Sequence, residues 1–224
     1  MTIVYLQGTE SINNEFREFL SGKAEFTTEP EHAGIIINTT NYPEYEQSEE
    51  LQYIESATAN NIPIFTSSLC SAVSEQGRRQ ANPERLIGIG LYDTFSKAKR
   101  IEIAPSKITD AAILKNAEKF LSEAGMNYSI VPDRVGMIFP RIVSMIINEA
   151  AQVYSEQVAS KEDIDTAMKL GTNYPYGPLE WADRLGVGLV YNILAALQRD
   201  FGEDRYRPHP LLKEMMDMDL KFYA

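Results

Sequence analysis

The stretch "GMIFPRIVSMIINEAAQVYSEQ", residues 136–157, is where the chain changes from alternating strand and helix patterns to helix patterns alone. Apolar residues recur in it at helical spacing on two faces, and a helix that is apolar on two faces is buried between partners. Serine, proline and glycine signals bound the helical segments that follow. These segments are 160–171, 177–186, 187–202 and 209–216. The sequence therefore predicts an all-α domain over residues 133–224.

The residues before this stretch alternate between short apolar runs and helical patterns. The run "GIIINTT", 34–40, is continuous and rich in β-branched residues, which is typical of a strand buried on both faces of a sheet. Strands that alternate with helices predict a mostly parallel α/β sheet over residues 1–132. The predicted strands are 3–6, 34–40 (ended by Tyr42-Pro43), 62–68, 85–92, 99–105 and 127–133; the predicted helices are 11–20, 49–60 and 110–123, the last capped by Thr109.

Composition and charge narrow the classes of function. Lys+Arg 21 against Asp+Glu 32 gives a net charge of −11, which repels phosphate backbones and excludes nucleic acid as an expected partner. A single cysteine, Cys70, cannot form an internal disulfide, and with only His32 and His209 we expect no metal site. No apolar run is long enough to span a bilayer and the first residues lack a signal-peptide pattern, so we expect a cytoplasmic protein with no membrane association.

The opening of the chain is similar to the start of a dinucleotide-binding domain. In "IVYLQGTESIN", 3–13, an apolar strand meets Gly8 and a helix follows behind Thr9 or Ser11. Such domains hold the pyrophosphate on a Gly-x-Gly-x-x-Gly turn, and here one glycine remains. Side chains at the lost glycine positions keep the backbone away from a pyrophosphate, and Glu10 adds a carboxylate beside it. We therefore expect no dinucleotide cofactor.

The second half of the chain carries an ordered set of motif residues. They are Asp133, Gly136, Arg141, Asn148, Glu149, Ala150, Glu162, Asp163, Ile164, Asp165, Gly171, Pro175, Gly177, Pro178, Glu180, Asp183 and Gly186, followed by "YRPHPLLKEMM", 206–216. In order and spacing they resemble the C-terminal helical domain of the 3-hydroxyacyl-CoA dehydrogenases. The resemblance implies a Rossmann domain that binds NAD and a helical domain that carries the subunit contact, in an oxidoreductase family of fatty-acid metabolism.

The helical half also predicts a homodimer from its own residues. Two apolar faces lie on residues 137–154, one with Ile138, Ile142, Met145 and Ile146 and the other with Val143, Ile147 and Ala151. The α/β domain can cover only one of these faces. Exposed apolar patches of that size mark an interface, and a two-fold dimer is the commonest closed assembly. We therefore expect a homodimer formed through the helical domain.

The first half matches the same family at its later strands, where the resemblance implies particular functional positions. Ser67 and Ser68 match the serines of a strand end whose hydroxyl contacts the substrate. Gly90 stands at the histidine that acts as general base, and Glu102 matches the glutamate that orients it. Pro140 stands at an asparagine. Glycine cannot accept the proton released in hydride transfer and proline has no amide side chain, so we expect no catalytic residues and only the two serines as substrate-binding candidates.

The α/β domain is shorter than that of the family. A βαβ segment, the one that would carry the ribose-binding acid, is predicted to be missing, which makes the domain a truncated Rossmann-like one. We interpret the chain as a catalytically degenerate family member that binds an acyl-CoA-like ligand or acts as a dimeric interaction protein. The alternative, an active NAD-dependent 3-hydroxyacyl-CoA (3-hydroxybutyryl-CoA) dehydrogenase, holds only if the alignment of Gly90 is wrong. Basic clusters at 77–79 and 97–100 are either solvated surface or contacts for coenzyme A phosphates.

Overall fold

The computed structural model describes residues 1–41, 44–93, 95–98 and 100–223, with the backbone alone for 44–48. The predicted strand break at Tyr42-Pro43 and one member of a predicted basic cluster, Lys99, lie outside the described residues. The chain divides into two compact units, unit 1 over Met1–Met137 and unit 2 over Ile138–Ala224. The predicted domain boundary after residue 132 stays a prediction.

Unit 1 is built on a seven-stranded sheet. Its strands are β1 (Thr2–Gln7), β2 (Ala24–Thr27), β3 (Ile35–Asn38), β4 (Ile64–Ser67), β5 (Leu86–Ile89), β6 (Ile101–Pro105) and β7 (Tyr128–Ile130). Its helices are α1 (Glu10–Phe19), α2 (Glu44–Ala57), α3 (Val73–Gln76) and α4 (Ala111–Glu123). The strand order is β2-β1-β3-β4-β5-β6-β7. Every neighbouring pair is parallel except β5 and β6, so the predicted mostly parallel sheet is confirmed.

Both faces of the central strands are buried, as their continuous apolar runs predict. On one face Ile37 and Phe65 belong to a cluster that α1 and α4 complete with Phe16 and Phe120. On the other face a second cluster forms against α2. It consists of Tyr5, Ala33, Ile36, Leu51, Ile54, Ile64, Val73 and Leu86. The sheet is therefore the middle layer of three.

The βαβ segment at the ribose-binding acid, which was predicted to be missing, is present in the structure. The chain passes from β1 through α1 into β2, which pairs in parallel with β1 from Thr2↔Ala24 to Tyr5↔Thr27. Sequence patterns missed β2 because none of its four residues is buried: three are half-buried and Glu25 is exposed. Within the described residues the sheet ends at β2, where the doubly wound dinucleotide-binding order carries one more strand. Relative to that order, the strand that is lacking is therefore the one that would pair with the free edge of β2.

The cap of α4 differs by one residue from the prediction. Asp110, rather than Thr109, accepts hydrogen bonds from the first-turn amides of Ala112 (2.8 Å) and Ile113 (3.1 Å). The Thr109 hydroxyl instead donates to the carbonyl oxygen of Leu86 at 3.0 Å. Both residue types can cap a helix, and here the threonine joins the loop to β5.

Unit 2 is helical throughout its regular elements. They are α5 (Phe139–Ser155), α6 (Lys161–Thr172), α7 (Pro178–Leu185), α8 (Val187–Phe201) and α9 (Pro210–Asp217). Ser160 caps α6 as predicted, since its hydroxyl oxygen accepts from the amide of Asp163 at 3.1 Å. The same helix continues one residue past the predicted stop at Gly171 and ends on Asn173, which adopts the left-handed conformation.

Candidate functional site

The carboxyl ends of β1, β3, β4 and β5 meet at one edge of the unit 1 sheet. Open α/β sheets bind ligands in the crevice at this edge, at the point where the strand order reverses. Here that point lies between β1 and β3, because β2 and β3 follow β1 in the chain on opposite sides of it. The edge carries Thr39 together with Gly8, Ser67 and Gly90, three positions that were singled out from the sequence.

The turn after β1 is in direct contact with the residues that follow β3. Gly8 has φ +103°, and a Cβ added there would lie 2.5 Å from the backbone nitrogen of Thr40. The Thr9 hydroxyl donates to the carbonyl oxygen of Thr39 at 3.2 Å. The two loops therefore touch each other at this point, and position 8 requires glycine.

Asn13 stands at the third glycine position of the dinucleotide turn, counted from Gly8. Its side chain is buried, with Oδ1 3.0 Å from the Thr39 hydroxyl, and Nδ2 donates to the carbonyl oxygen of Gly8 at 3.4 Å. The third glycine of that turn serves close packing of helix on strand. A carboxamide therefore fills the space that the glycine would leave open.

A carboxylate lies at the same edge. Glu50 of α2 accepts hydrogen bonds from Gln7 Nε2 at 3.4 Å and from the Thr40 hydroxyl. The Tyr5 hydroxyl donates to Gln7 Oε1 at 3.0 Å, which fixes the amide. Burial, followed by the nearby negative groups that include Glu50, raises the pKa of Tyr5. Glu50 is thus held in a hydrogen-bonded network between the ends of β1 and β3.

The predicted substrate-binding serines lie at the carboxyl end of β4, and both are buried. The Ser67 hydroxyl donates to Oδ1 of Asn41, and Nδ2 of Asn41 donates to the carbonyl oxygen of Leu91 at 3.3 Å. The Ser68 hydroxyl donates to the carbonyl oxygen of Ser71 at 3.2 Å. Each hydroxyl is therefore engaged by the chain. Their role in substrate binding stays a prediction.

Gly90 and Glu102 lie beside each other across β5 and β6. The Gly90 amide donates to the Glu102 carbonyl oxygen at 2.9 Å, and a Cβ added at position 90 would lie 3.8 Å from the Glu102 Cβ. The same Cβ would lie 2.9 Å from Sδ of Met137, a buried residue. The structure therefore brings together the two positions that the resemblance pairs, with a thioether where a side chain at 90 would project.

Tyr92 lies near Glu102 and is a residue that sequence patterns did not single out. Burial, with added repulsion from Glu102 and Glu15, raises its pKa to about 12. A phenol with that pKa holds its proton at neutral pH and is therefore a poor general base. Its position two residues after Gly90 was the only available sequence signal.

The remaining predicted positions have structural contacts. Pro140 lies in the first turn of α5 in unit 2, where a missing amide hydrogen costs little. The Asp133 carboxylate accepts from the amides of Val73 (2.7 Å) and Ser74 (2.9 Å), which caps α3. Asn148 accepts from the His209 amide at 2.7 Å. These motif residues therefore hold loops and helix ends.

Neither a metal site nor a membrane-spanning helix is found in the part of the chain that the structure describes. It contains no group of three or more histidine, cysteine, aspartate or glutamate side chains that could hold a metal ion. None of its helices combines the length and the apolar character needed to cross a bilayer.

Comparison with known proteins identifies the family of the helical half. Residues 136–221 match the model of the family described as 3-hydroxyacyl-CoA dehydrogenase, C-terminal domain. A 3-hydroxybutyryl-CoA dehydrogenase from Clostridioides difficile is 28% identical over 213 residues, which are 87% of this chain and 75% of that protein. Residues 136–221 therefore carry the C-terminal domain of the 3-hydroxyacyl-CoA dehydrogenase family.

A second relative matches a smaller share of each chain. The 3-hydroxyadipyl-CoA dehydrogenase of Escherichia coli K12 is 42% identical over 116 residues, 52% of this chain and 24% of that protein. The chain thus spans less than two thirds of this relative. Among solved structures, M. tuberculosis FadB2 superposes with a TM-score of 0.83 at 18% identity, covering 100% of this chain and 90% of that one. This likeness shows the fold: a Rossmann-like sheet followed by a helical region.

Proposed function

We propose that this 3-hydroxyacyl-CoA dehydrogenase-family protein binds no dinucleotide and transfers no hydride. The observation that carries the proposal is the occupied crevice between β1 and β3. Asn13 bridges the two loops, and the Glu50 carboxylate is held where they meet. A pyrophosphate would have to displace these hydrogen bonds and would approach a fixed negative charge.

The distribution of charge supports the same proposal. Residues 1–60 contain eleven glutamates against two basic residues, Arg17 and Lys23, so nine of the eleven net negative charges of the chain belong to them. These residues form β1, α1, β2, β3 and α2, which flank the crevice. Clefts lined by one sign of charge concentrate ligands of the opposite sign and repel those of the same sign. An anionic dinucleotide is therefore disfavoured before any contact is made.

Calorimetric titration of the unaltered chain with NAD and NADH tests this proposal. We expect no binding heat up to millimolar ligand, because the crevice is filled and negatively charged. The Clostridioides difficile relative serves as a control in the same buffer. A dissociation constant in the micromolar range would contradict the proposal, and ligand at 100 times such a constant would also stabilise the fold by about 2.7 kcal/mol.

A second candidate function, an active NAD-dependent 3-hydroxybutyryl-CoA dehydrogenase, has one structural observation in its favour. Glu29 follows β2 at about the distance from Gly8 at which dinucleotide-binding folds carry the ribose-binding acid. The Clostridioides difficile relative bears that enzyme name. Turnover of 3-hydroxybutyryl-CoA with NAD, lost in Glu102→Ala and retained in the exposed Glu25→Ala, would establish this function.

For a protein that transfers no hydride, the role that we propose is self-association through unit 2. Ile138, Phe139 and Ile142, at the start of α5, have exposed fractions of 50%, 38% and 52%. Phe139 also packs edge-on against Trp181, with ring centroids 6.1 Å apart. Tryptophan and other aromatic residues dominate the binding energy of interfaces. A second copy of the chain is the partner that this apolar face fits under two-fold symmetry.

Light scattering tests the dimer. We expect a mass of about twice the 25.2 kDa of one chain at micromolar concentration. Ile142→Asp should shift the protein to the monomer, because a buried unpaired carboxylate is costly in an interface. Leu170→Asp is the matched control, since Leu170 is 82% exposed at the end of α6. A mass near that of one chain at all concentrations would contradict the proposal.

We propose separately that the protein binds an acyl-CoA-like ligand. Thermal unfolding with 3-hydroxybutyryl-CoA, and with free coenzyme A as control, tests it. A concentration-dependent rise in the melting temperature with the acyl thioester would support binding, and an unchanged temperature at millimolar ligand would oppose it.

A further inference from the structure

The three residues that follow β3 touch the ends of three other strands, and we name Thr39, Thr40 and Asn41 the β3 clasp. The Thr39 amide donates to the carbonyl oxygen of Gln7 at 2.8 Å, at the end of β1. The Thr40 hydroxyl donates to Glu50. Asn41 reaches β4 and β5. One short segment thus connects the loops that border the crevice.

Within the β3 clasp, Asn41 makes the contact that spans the most residues of the chain, the hydrogen bond to Leu91. Its carboxamide uses both of its polar atoms, since Oδ1 accepts from the Ser67 hydroxyl and Nδ2 donates to the carbonyl oxygen of Leu91 at 3.3 Å. The three residues come from loops that are far apart in the sequence. A bound ligand would use the same kind of donors and acceptors at this edge.

We propose that the β3 clasp is an internal substitute for a ligand. It supplies hydrogen bonds that order the ends of β1, β4 and β5, and it commits the Ser67 hydroxyl to Asn41. Loops that bind ligands are usually drawn from the least stable parts of a fold, and here the chain itself provides the ordering contacts. The inference rests on the proposed function, because a crevice that is permanently filled needs no ligand to hold its loops.

Amide hydrogen exchange in Asn41→Ala tests the β3 clasp. The Ser68 amide donates to the Ile89 carbonyl oxygen at 3.2 Å, and the Gly90 amide donates to that of Glu102 at 2.9 Å. Loss of both Asn41 contacts should speed the exchange of these two amides about tenfold, which corresponds to one or two ordinary hydrogen bonds. Core amides such as that of Ile36 should keep their rates. Asn61→Ala, an exposed asparagine before β4, is the control and should change neither amide.

Ser67→Ala tests the two hydrogen bonds of the Asn41 side chain separately. This variant removes the hydroxyl that donates to Asn41 and leaves the bond to Leu91, so exchange should be faster at Ser68 and unchanged at Gly90. Unchanged exchange of both amides in Asn41→Ala would overturn the proposal. An equal acceleration across every strand of unit 1 would also overturn it, because that result indicates general destabilisation. A separate measurement, NAD binding to the unaltered chain, tests the proposed function, so the two proposals can fail independently.

Discussion

Replacement of Arg85 by methionine is expected to lower the free energy of unfolding of unit 1 by about 3–5 kcal/mol. The Arg85 side chain is fully buried, and its guanidinium donates to the carbonyl oxygens of Ile62 (3.0 Å) and Glu55 (3.4 Å) and to the Thr58 hydroxyl (2.6 Å). Burial lowers the pKa of Arg85, and the charges of Glu55 and Glu84 oppose that effect. Methionine fills similar space but leaves these buried acceptors without a donor.

Arg78→Met is the matched control for this prediction. Arg78 is exposed in the neighbouring loop, so its replacement should change the unfolding free energy by less than about 0.5 kcal/mol. Unit 1 has no tryptophan, because the one tryptophan of the chain is Trp181. The measurement is therefore hydrogen exchange of the most protected amides of β4 and β5. Equal protection in the two variants would show that the buried guanidinium is not needed for stability.

Gly177→Ala is expected to destabilise unit 2 by about 1–3 kcal/mol. A Cβ at position 177 would lie 2.2 Å from both Cβ and Cγ of Asp165. Asp165 is buried, and its carboxylate accepts from the amides of Leu179 (2.8 Å) and Glu180 (3.0 Å) and from the Tyr223 hydroxyl (2.7 Å). It therefore cannot move aside without losing these bonds. Gly177 has φ −74°, which alanine adopts freely, so the whole cost is steric.

Gly171→Ala is the control in the same unit. It lies within α6 with no atom within 4 Å of an added Cβ, so alanine should be neutral or stabilising by about 0.5–1 kcal/mol. Urea unfolding followed by Trp181 fluorescence measures both variants. In an Asp165→Gly background, which removes the Cβ and Cγ that clash, Gly177→Ala should cost much less. An equal cost in both backgrounds would contradict the steric explanation.

Helices were the part of the fold that the sequence predicted best. Their ends carry local chemical signals, such as Ser160 before α6 and Pro178 at the first position of α7, and these act within one turn. The buried central strands were also predicted, since both of their faces are apolar. β2 was missed because an edge strand of four residues has neither a continuous apolar run nor a clear alternation. The four-residue helix α3 was missed for the same reason of length.

From the sequence, the candidate site could be predicted only as a set of positions that lack the residues of the family pattern. The missing glycines after Gly8 and the glycine at position 90 are visible in one sequence. The groups that fill the vacated space are not, because Asn41 meets Ser67 and Met137 meets Gly90 across long stretches of chain. Polar loop residues have no periodicity that would indicate a partner. Contacts of this kind follow from the fold and not from local pattern.

The outer position of β2 has a consequence for how this protein behaves in concentrated solution. An edge strand presents unpaired backbone groups that can recruit a strand from another molecule and so begin aggregation. β2 limits this by its short length and by Glu25, which lies in the strongly acidic first 60 residues. Two such edges repel each other across solvent. That repulsion acts over about 10 Å at 0.1 M salt and only about 3 Å at 1 M, so the chain is best protected from self-pairing at low ionic strength.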